Sequence, residues 1–310
     1  MTKKAILLLA ISCASPALAQ ESNTTLWRSG VYAGINAGFG VGTNSSVSTR
    51  SYPVIDVFPS SFNNVPDPSL IVQKRVVFGV SALANTGIAS VNQSGVIGGG
   101  QIGYNYLLND RIVIGAETDF QGSGISGSGQ STNAAIQNGF ITYPNGSLDV
   151  SGVSYGMNNI NTNIDWIGTA RGRAGALISS NILIFATGGL AYASVSGKSI
   201  NSEQYAFNML SKNIIFGDEA SSSSMRYFPG YSSNHVINAG WTVGGGAEWM
   251  ASNNWSLKAE ALYYDLGKSN LAAPAIVGEY YNPLVLNYTT TAINYDGVIA
   301  RFGLNYHFGN

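Results

Sequence analysis

Residues 298–308, VIARFGLNYHF, alternate without a break: Val298, Ala300, Phe302, Leu304, Tyr306 and Phe308 fall at every second position, with Ile299, Arg301, Gly303, Asn305 and His307 between them. In an extended strand that period places the first set on one face and the second on the other. One face is apolar throughout. The other carries an arginine, an asparagine and a histidine, so the fold depends on what lies on each side.

Composition narrows the choice. Of the 310 residues only 10% are charged, against roughly 25% in ordinary soluble domains, while glycine (38) and tyrosine (17) are abundant. Past the N-terminus no apolar run approaches the roughly 18 residues that a membrane helix needs. Net charge is -1 with no basic block, so nothing here attracts a nucleic acid. The N-terminus, MTKKAILLLAISCASPALAQ, has basic Lys3 and Lys4, an apolar stretch and Ala17-Leu18-Ala19 before Gln20. That pattern predicts a secretory signal peptide over 1–19, ahead of a short segment over 20–29 and a single domain over 30–310. A lipoprotein reading at Cys13 is weaker, because alanine stands where a branched residue usually opens that motif. Cys13 is the one cysteine in the chain, so the exported part has neither disulfides nor thiolate metal sites.

The alternation recurs seven more times, at Val31–Phe39, Gly100–Tyr106, Ile112–Phe120, Trp166–Ala174, 182–195, Trp241–Trp249 and Trp255–Tyr263. The 182–195 stretch is apolar on both sides and has no readable orientation. Short polar turns, Leu108-Asn109-Asp110, Ser179-Ser180-Asn181 and Ser252-Asn253-Asn254, suit hairpins. They alternate with long connections at 43–95, 122–163, 197–236 and 268–294. Eight antiparallel strands with short turns at one end and four long loops at the other match an all-β, up-and-down transmembrane barrel. A soluble sandwich also alternates, but the five tryptophans fall at strand ends, where interfacial girdles belong.

With the apolar face toward lipid, the other face lines the lumen. Arg111, Arg171, Arg173, Lys258 and Arg301 then sit inside beside Glu117, Asp119, Asp165, Glu248 and Glu260. A one-residue register slip would turn each basic residue to lipid, at about 2–4 kcal/mol near the midplane. An eight-stranded lumen is only wide enough for side chains, so these balanced charges are expected to pair and plug it.

The closing RFGLNYHF, with Arg301, Gly303, Tyr306 and Phe308 in the spacing polar-x-Gly-x-x-aromatic-x-aromatic, resembles the assembly signal of outer-membrane proteins. Together with DWIGTARGRAGALISSNILIFATGGLAYASVSG (165–197) it resembles the OmpA-like eight-stranded barrels, specifically the porin-like surface antigens of alphaproteobacteria. The resemblance covers the strands and not the loops. It implies a bacterial outer-membrane protein whose partners are outer-membrane lipid and lipopolysaccharide, the barrel-assembly machinery and periplasmic chaperones. In that family the chain usually ends on the aromatic, whereas Gly309 and Asn310 follow here. No peptidoglycan-binding domain is expected.

Other motifs weigh less. Gly98-Gly99-Gly100 and Gly244-Gly245-Gly246 are not followed by a helix, so they read as packing positions rather than phosphate loops. His235, near Tyr227 and Tyr231, is a loop histidine without evident co-ligands; some members of the family are described as haemin-binding, yet no cofactor or metal is expected. Ser232-Ser233 beside it offers a nucleophile only by adjacency in a serine-rich loop, and no catalytic site is expected. His307 is placed in the lumen near the periplasmic end. Residues 68–84, PSLIVQKRVVFGVSALA, are more apolar than a solvated loop requires and either add strands or dock on a partner. Two functions stay open: a structural, surface-exposed barrel, or a barrel that binds a ligand (haemin or a host surface) or passes solutes through a narrow pore. The protein extracted from membranes is expected to begin at Gln20 on N-terminal sequencing; a lipidated Cys13 at the terminus would overturn that assignment.

Overall fold

A computed structural model describes residues 26–53, 79–144, 146–213, 217–277 and 284–308. The expected signal peptide (1–19), residues 68–78 and the two C-terminal residues lie outside them. The described chain forms ten strands and one short helix: β1 (Gly30–Gly42), β2 (Ser46–Pro53), α1 (79–84), β3 (Gly87–Ser90), β4 (Ser94–Asn109), β5 (Ile112–Tyr143), β6 (Gly146–Ser179), β7 (Ile182–Asn213), β8 (Gly217–Met250), β9 (Trp255–Val277) and β10 (Leu284–His307). Eight of the strands close a ring in the order β1-β4-β5-β6-β7-β8-β9-β10, with β10 pairing back onto β1 from Tyr32↔His307 to Gly42↔Gly297. The protein is an antiparallel β-barrel.

Short turns at one end hold the register. Asn109 Oδ1 accepts from the backbone N–H of Arg111 and Ile112 at 3.0 and 2.9 Å, a side-chain turn that starts β5 at Ile112. Next to it, Leu26 N–H donates to Ser180 O at 3.0 Å and ties the N-terminal segment to the turn between β6 and β7. Above these turns the pleat sorts the faces as the composition demands. Ile35, Ile102, Leu190 and Phe302 project outward and are exposed, while Arg171, Arg173, Lys258 and Arg301 are buried inside. The stretch 182–195 resolves in the same way: Leu183, Phe185 and Ala191 face the lumen, and Ile184 and Leu190 face out. Aromatic rings band both ends of the wall, with Phe120, Trp166 and Tyr192 in mutual contact at the outer level and Trp255, Tyr306 and Phe308 at the inner one.

The long connections are far from irregular. β5 to β8 continue as in-register hairpins through most of 122–163 and 197–236, so the barrel wall rises well beyond the girdle. There it divides. Pairing of β8 with β9 stops at Trp241↔Asp265, where Asp265 Oδ1 accepts from Gly267 N–H and Gly267 takes a φ of 76° that favours glycine. Beyond that point β9 follows β10 alone, and β10 passes from β1 onto β2. One upper sheet, β9-β10-β2-β3, thus faces another, β5-β6-β7-β8. Tyr295 Oη donating to Ser196 O at 2.9 Å and Ser199 Oγ lying 3.3 Å from Thr291 Oγ1 join them. Of residues 68–84, the described part (79–84) is α1 rather than a strand, with Val80, Ser81, Ala82 and Ala84 buried.

Phe302, 76% exposed on the outer wall, tests the face assignment. Phe302→Arg is expected to lower folded yield and to cost up to about 2–4 kcal/mol, read from heat-modifiable gel mobility and urea titration in lipid vesicles; wild-type assembly would show that position 302 does not meet lipid.

Candidate functional site: the lumen and its charge network

Inside the ring the strands stack distinct layers. At the periplasmic mouth Trp27, Val113, Leu183, Phe185 and Met250 form an apolar floor. Trp27 is therefore not part of a girdle as its position near a strand end implies: it is 2% exposed and packs edge-on against His307, which itself stacks on Tyr32 with centroids 5.3 Å apart.

Above the floor lies the charge network, set up by cross-strand register. Glu117 sits opposite Arg171, Glu248 opposite Lys258, and Glu260 opposite Arg301. The guanidinium of Arg171 bonds Glu117, Asp119 (2.9 Å) and Glu260 (2.8 Å), while its Nε donates to Thr169 Oγ1 at 2.9 Å. Arg301 bonds Asp119 at 2.7 Å and Glu260 at 2.6 Å. Lys258 Nζ bonds both oxygens of Glu117, at 2.8 and 2.7 Å. Arg173 bonds Glu248 at 2.7 Å and lies over the Phe185 ring at 4.2 Å. The four cations, Arg171, Arg173, Lys258 and Arg301, balance the four anions, Glu117, Asp119, Glu248 and Glu260, and all are buried.

Neutral side chains complete the shell. Tyr32 Oη donates to Glu117 at 2.5 Å and accepts from Arg173 at 3.0 Å. Ser256 Oγ and Asn305 Nδ2 donate to Glu248 at 2.6 and 2.8 Å, and His307 Nε2 lies 3.0 Å from Ser256 Oγ. Tyr32, Thr169, Ser256 and Asn305 are not singled out by charge counting, although their place on the polar face of each strand was the available signal.

Two expected members lie elsewhere. Arg111 is exposed in the turn that precedes β5, where period two has not yet begun and does not set its direction. At Asp165 the pairing of β6 with β7 shifts register between Ile164 and Trp166. That bulge breaks the alternation carried up from Arg171, leaving the Asp165 side chain 36% exposed, 3.7 Å from His235 Nδ1 and away from the network. Ser194, not Ser232 or Ser233, meets His235, with its Oγ 3.0 Å from Nε2. Ser194 Oγ also reaches Asp165 at 3.3 Å, so the three side chains form a triangle instead of a relay, and Ser194 is 2% exposed. Among the described residues no cluster of three or more His, Cys, Asp or Glu has the geometry of a metal site. Of the residues in the terminal signal, Arg301 and Gly303 face the lumen, whereas Tyr306 and Phe308 join the inner girdle.

Over the network lies an apolar layer, with Ile97, Ile125, Ile164, Ile167, Val195, Leu262, Ile293 and Ile299 among its members. The network is thus enclosed between two hydrophobic layers, and its charges have one another and the surrounding hydroxyls and amides as partners.

The chain is 34% identical over 224 residues to the 31 kDa outer-membrane immunogenic protein of Brucella melitensis, a match spanning 72% of this chain and 70% of that protein, and equally so to its counterpart in Brucella suis. No protein-family profile matches. Among solved structures, the outer membrane protein OprG of Pseudomonas aeruginosa is 12% identical over 91% of this chain and 97% of its own, with a TM-score of 0.38. The attachment invasion locus protein Ail of Yersinia pestis is 11% identical over 88% and 99%, with a TM-score of 0.23. Superpositions this loose add nothing to what the closed ring of strands itself shows.

Glu117 bonds both Arg171 and Lys258, so its loss strands two buried cations. Glu117→Ala is expected to destabilise the barrel by about 3–5 kcal/mol in urea titration, and Glu117→Gln combined with Lys258→Met to recover a large part of it. An unchanged midpoint in Glu117→Ala would show that the network carries no stability.

Proposed function

The chain belongs to the family of the 31 kDa outer-membrane immunogenic proteins, and from that premise we propose that this outer-membrane barrel is a structural, surface-displaying protein with a lumen closed to solutes. The observation that carries this reading is the neutral set of eight paired charges between two apolar layers. A selective channel uses a continuous water column and an excess of one charge sign. Here Ile125, Ile164 and Ile167 occupy the bore above the ion pairs, and the pairs cancel. Display is the natural complement, because hairpins β5–β6 and β7–β8 carry much of the chain beyond the girdle.

The protein is, on this reading, not an enzyme. Asp165 lies 3.7 Å from His235 Nδ1, beyond hydrogen-bond length, so no carboxylate bond orients that imidazole as a base for Ser194, and the burial of Ser194 keeps a substrate carbon away. A second reading, contact with an apolar surface on another cell or molecule, draws on Ile136, Phe140 and Tyr155, which stand 70%, 76% and 57% exposed on the β5–β6 hairpin.

Reconstitution into planar bilayers tests the closed lumen. The purified protein is expected to give no steady conductance, and shortening Arg171, Arg173 and Glu260 to alanine is expected to produce leak only so far as water crosses the isoleucine layer above them. Large, stable, ion-selective openings of the wild-type protein would overturn the structural reading in favour of a porin.

A further inference from the structure

Above the apolar layer lies a second polar centre that the lumen network does not use. Glu203 on β7 is 1% exposed, roughly 35 Å along the strand beyond the girdle residue Tyr192 at about 3.3 Å per residue, and so clear of the membrane. Its carboxylate accepts from four neutral groups on three other elements. Ser81 Oγ and Asn85 Nδ2, from α1 and the residue after it, donate at 2.6 and 2.8 Å. Ser154 Oγ on β6 donates at 2.7 Å and Asn287 Nδ2 on β10 lies at 3.4 Å. Asn287 also donates to Ser81 Oγ at 2.5 Å. One carboxyl therefore holds the helix between the two upper sheets, with Val80, Ala82 and Ala84 buried beneath it.

We propose that α1 is a stopper latched on Glu203, seated most tightly while that carboxyl carries a proton and loosened when it ionises. Among the described residues no cation bonds the anion. Helix α1 itself contains no titratable side chain. On the elements around it, Arg50 and Tyr52 of β2, Tyr155 of β6, Lys198 of β7 and Tyr288 of β10 are all exposed on outward faces, and none bonds Glu203. In the lumen network every carboxylate meets an arginine or a lysine; here a buried one meets only hydroxyls and amides. Burial raises the Glu203 carboxyl above its ordinary value, and the donors from Ser81, Ser154, Asn85 and Asn287 act in the opposite direction without cancelling it. With the helix lifted, water reaches Glu203 and the ordinary value returns. The seated state therefore has the higher value: it keeps its full advantage below the ordinary carboxylate range and loses it as pH rises through the raised one. The latch concerns the outer chamber alone and does not depend on the ion-pair layer being closed to solutes.

Single cysteines on the stopper read the latch directly. Ala82 is 4% exposed and Leu83 57% exposed, so Ala82→Cys reports unseating and Leu83→Cys gives an accessible reference on the same helix. In the exported protein, folded by heat-modifiable mobility, the rate of maleimide labelling at 82 relative to 83 is expected to rise by up to about tenfold per pH unit between the ordinary carboxylate value and the raised one, and to level off above it. With Glu203→Gln added, the ratio is expected to become flat, the same two thiols serving as their own baseline. A ratio that stays flat in the otherwise unaltered protein, or that rises equally with Glu203→Gln, overturns the proposal. If Glu203→Gln does not fold, Ser154→Ala decides: with one donor to the carboxylate removed, the midpoint must move to higher pH, and an unmoved midpoint overturns the latch.

Discussion

Charged side chains on the strands of a membrane barrel have one place to go, and in an eight-stranded ring that place is narrow. Lipid excludes Arg171, Arg173, Lys258 and Arg301 at about 2–4 kcal/mol each near the midplane, so the phases of β5, β6, β8, β9 and β10 are set by where their charges fall. The lumen in turn admits them only in pairs, because a lone ion out of water costs several kcal/mol. Register then does the pairing: hydrogen-bonding the backbones brings Glu117 beside Arg171 and Glu260 beside Arg301 with no separate search. Pairing of this kind is weak evidence for net stability but strong evidence for a single register, since a slip by one residue would break the pairs and expose the charges together.

The steric half of the constraint is met by glycine. Around the ring Glu117 has Gly103 on its other side, Arg171 has Gly189, Arg173 has Gly115, Lys258 has Gly303, Glu260 has Gly246 and Arg301 has Gly38. A Cβ built on Gly38 would come within 2.6 Å of Arg301 Cβ, and one on Gly103 within 2.4 Å of the Tyr32 ring. Long polar side chains thus alternate with vacant positions around the same layer. The high glycine content follows in part from the charges: six of the eight buried ions in this small bore, all but Asp119 and Glu248, have a cross-strand neighbour with no side chain.

Where alternation was uninterrupted, the sequence was a sufficient guide, and the last strand shows it: Ile299, Arg301, Asn305 and His307 are buried while Phe302 stands exposed. Reading failed at interruptions. The bulge at Asp165 has no signature in DWIGTAR, and Arg111 lies one residue before the pattern begins. Trp27 resembles a girdle residue because position near a strand end does not tell a side chain that meets lipid from one that folds into the mouth. The hairpins of β5 to β8 were hidden for another reason. Ser, Asn and Gly predominate there, and as isolated segments they read as loops; what makes them strands is the in-register partner, a tertiary effect that single-residue preference does not carry. Glu203 lies within such a stretch, where no sequence period marks its environment, although that environment is as specific as that of any lumen charge.

That same continuation explains why one wall supports two kinds of interior. Along β7 the inward positions run from Leu183 and Phe185, through Thr187 and Ala191, to Val195 and then to Ser199, Asn201 and Glu203. The outward positions change in the opposite sense, from Ile184 and Leu190 below the girdle to the exposed Lys198 and Gln204 above it. Backbone geometry stays the same while the solvent outside passes from lipid to water. Within the membrane the interior takes the charges that lipid refuses, and they must be balanced there. Above it, water accepts charge on the outer face, so the interior is free to be apolar, and a polar group that remains inside needs a local reason. For Glu203 the reason is the helix it holds.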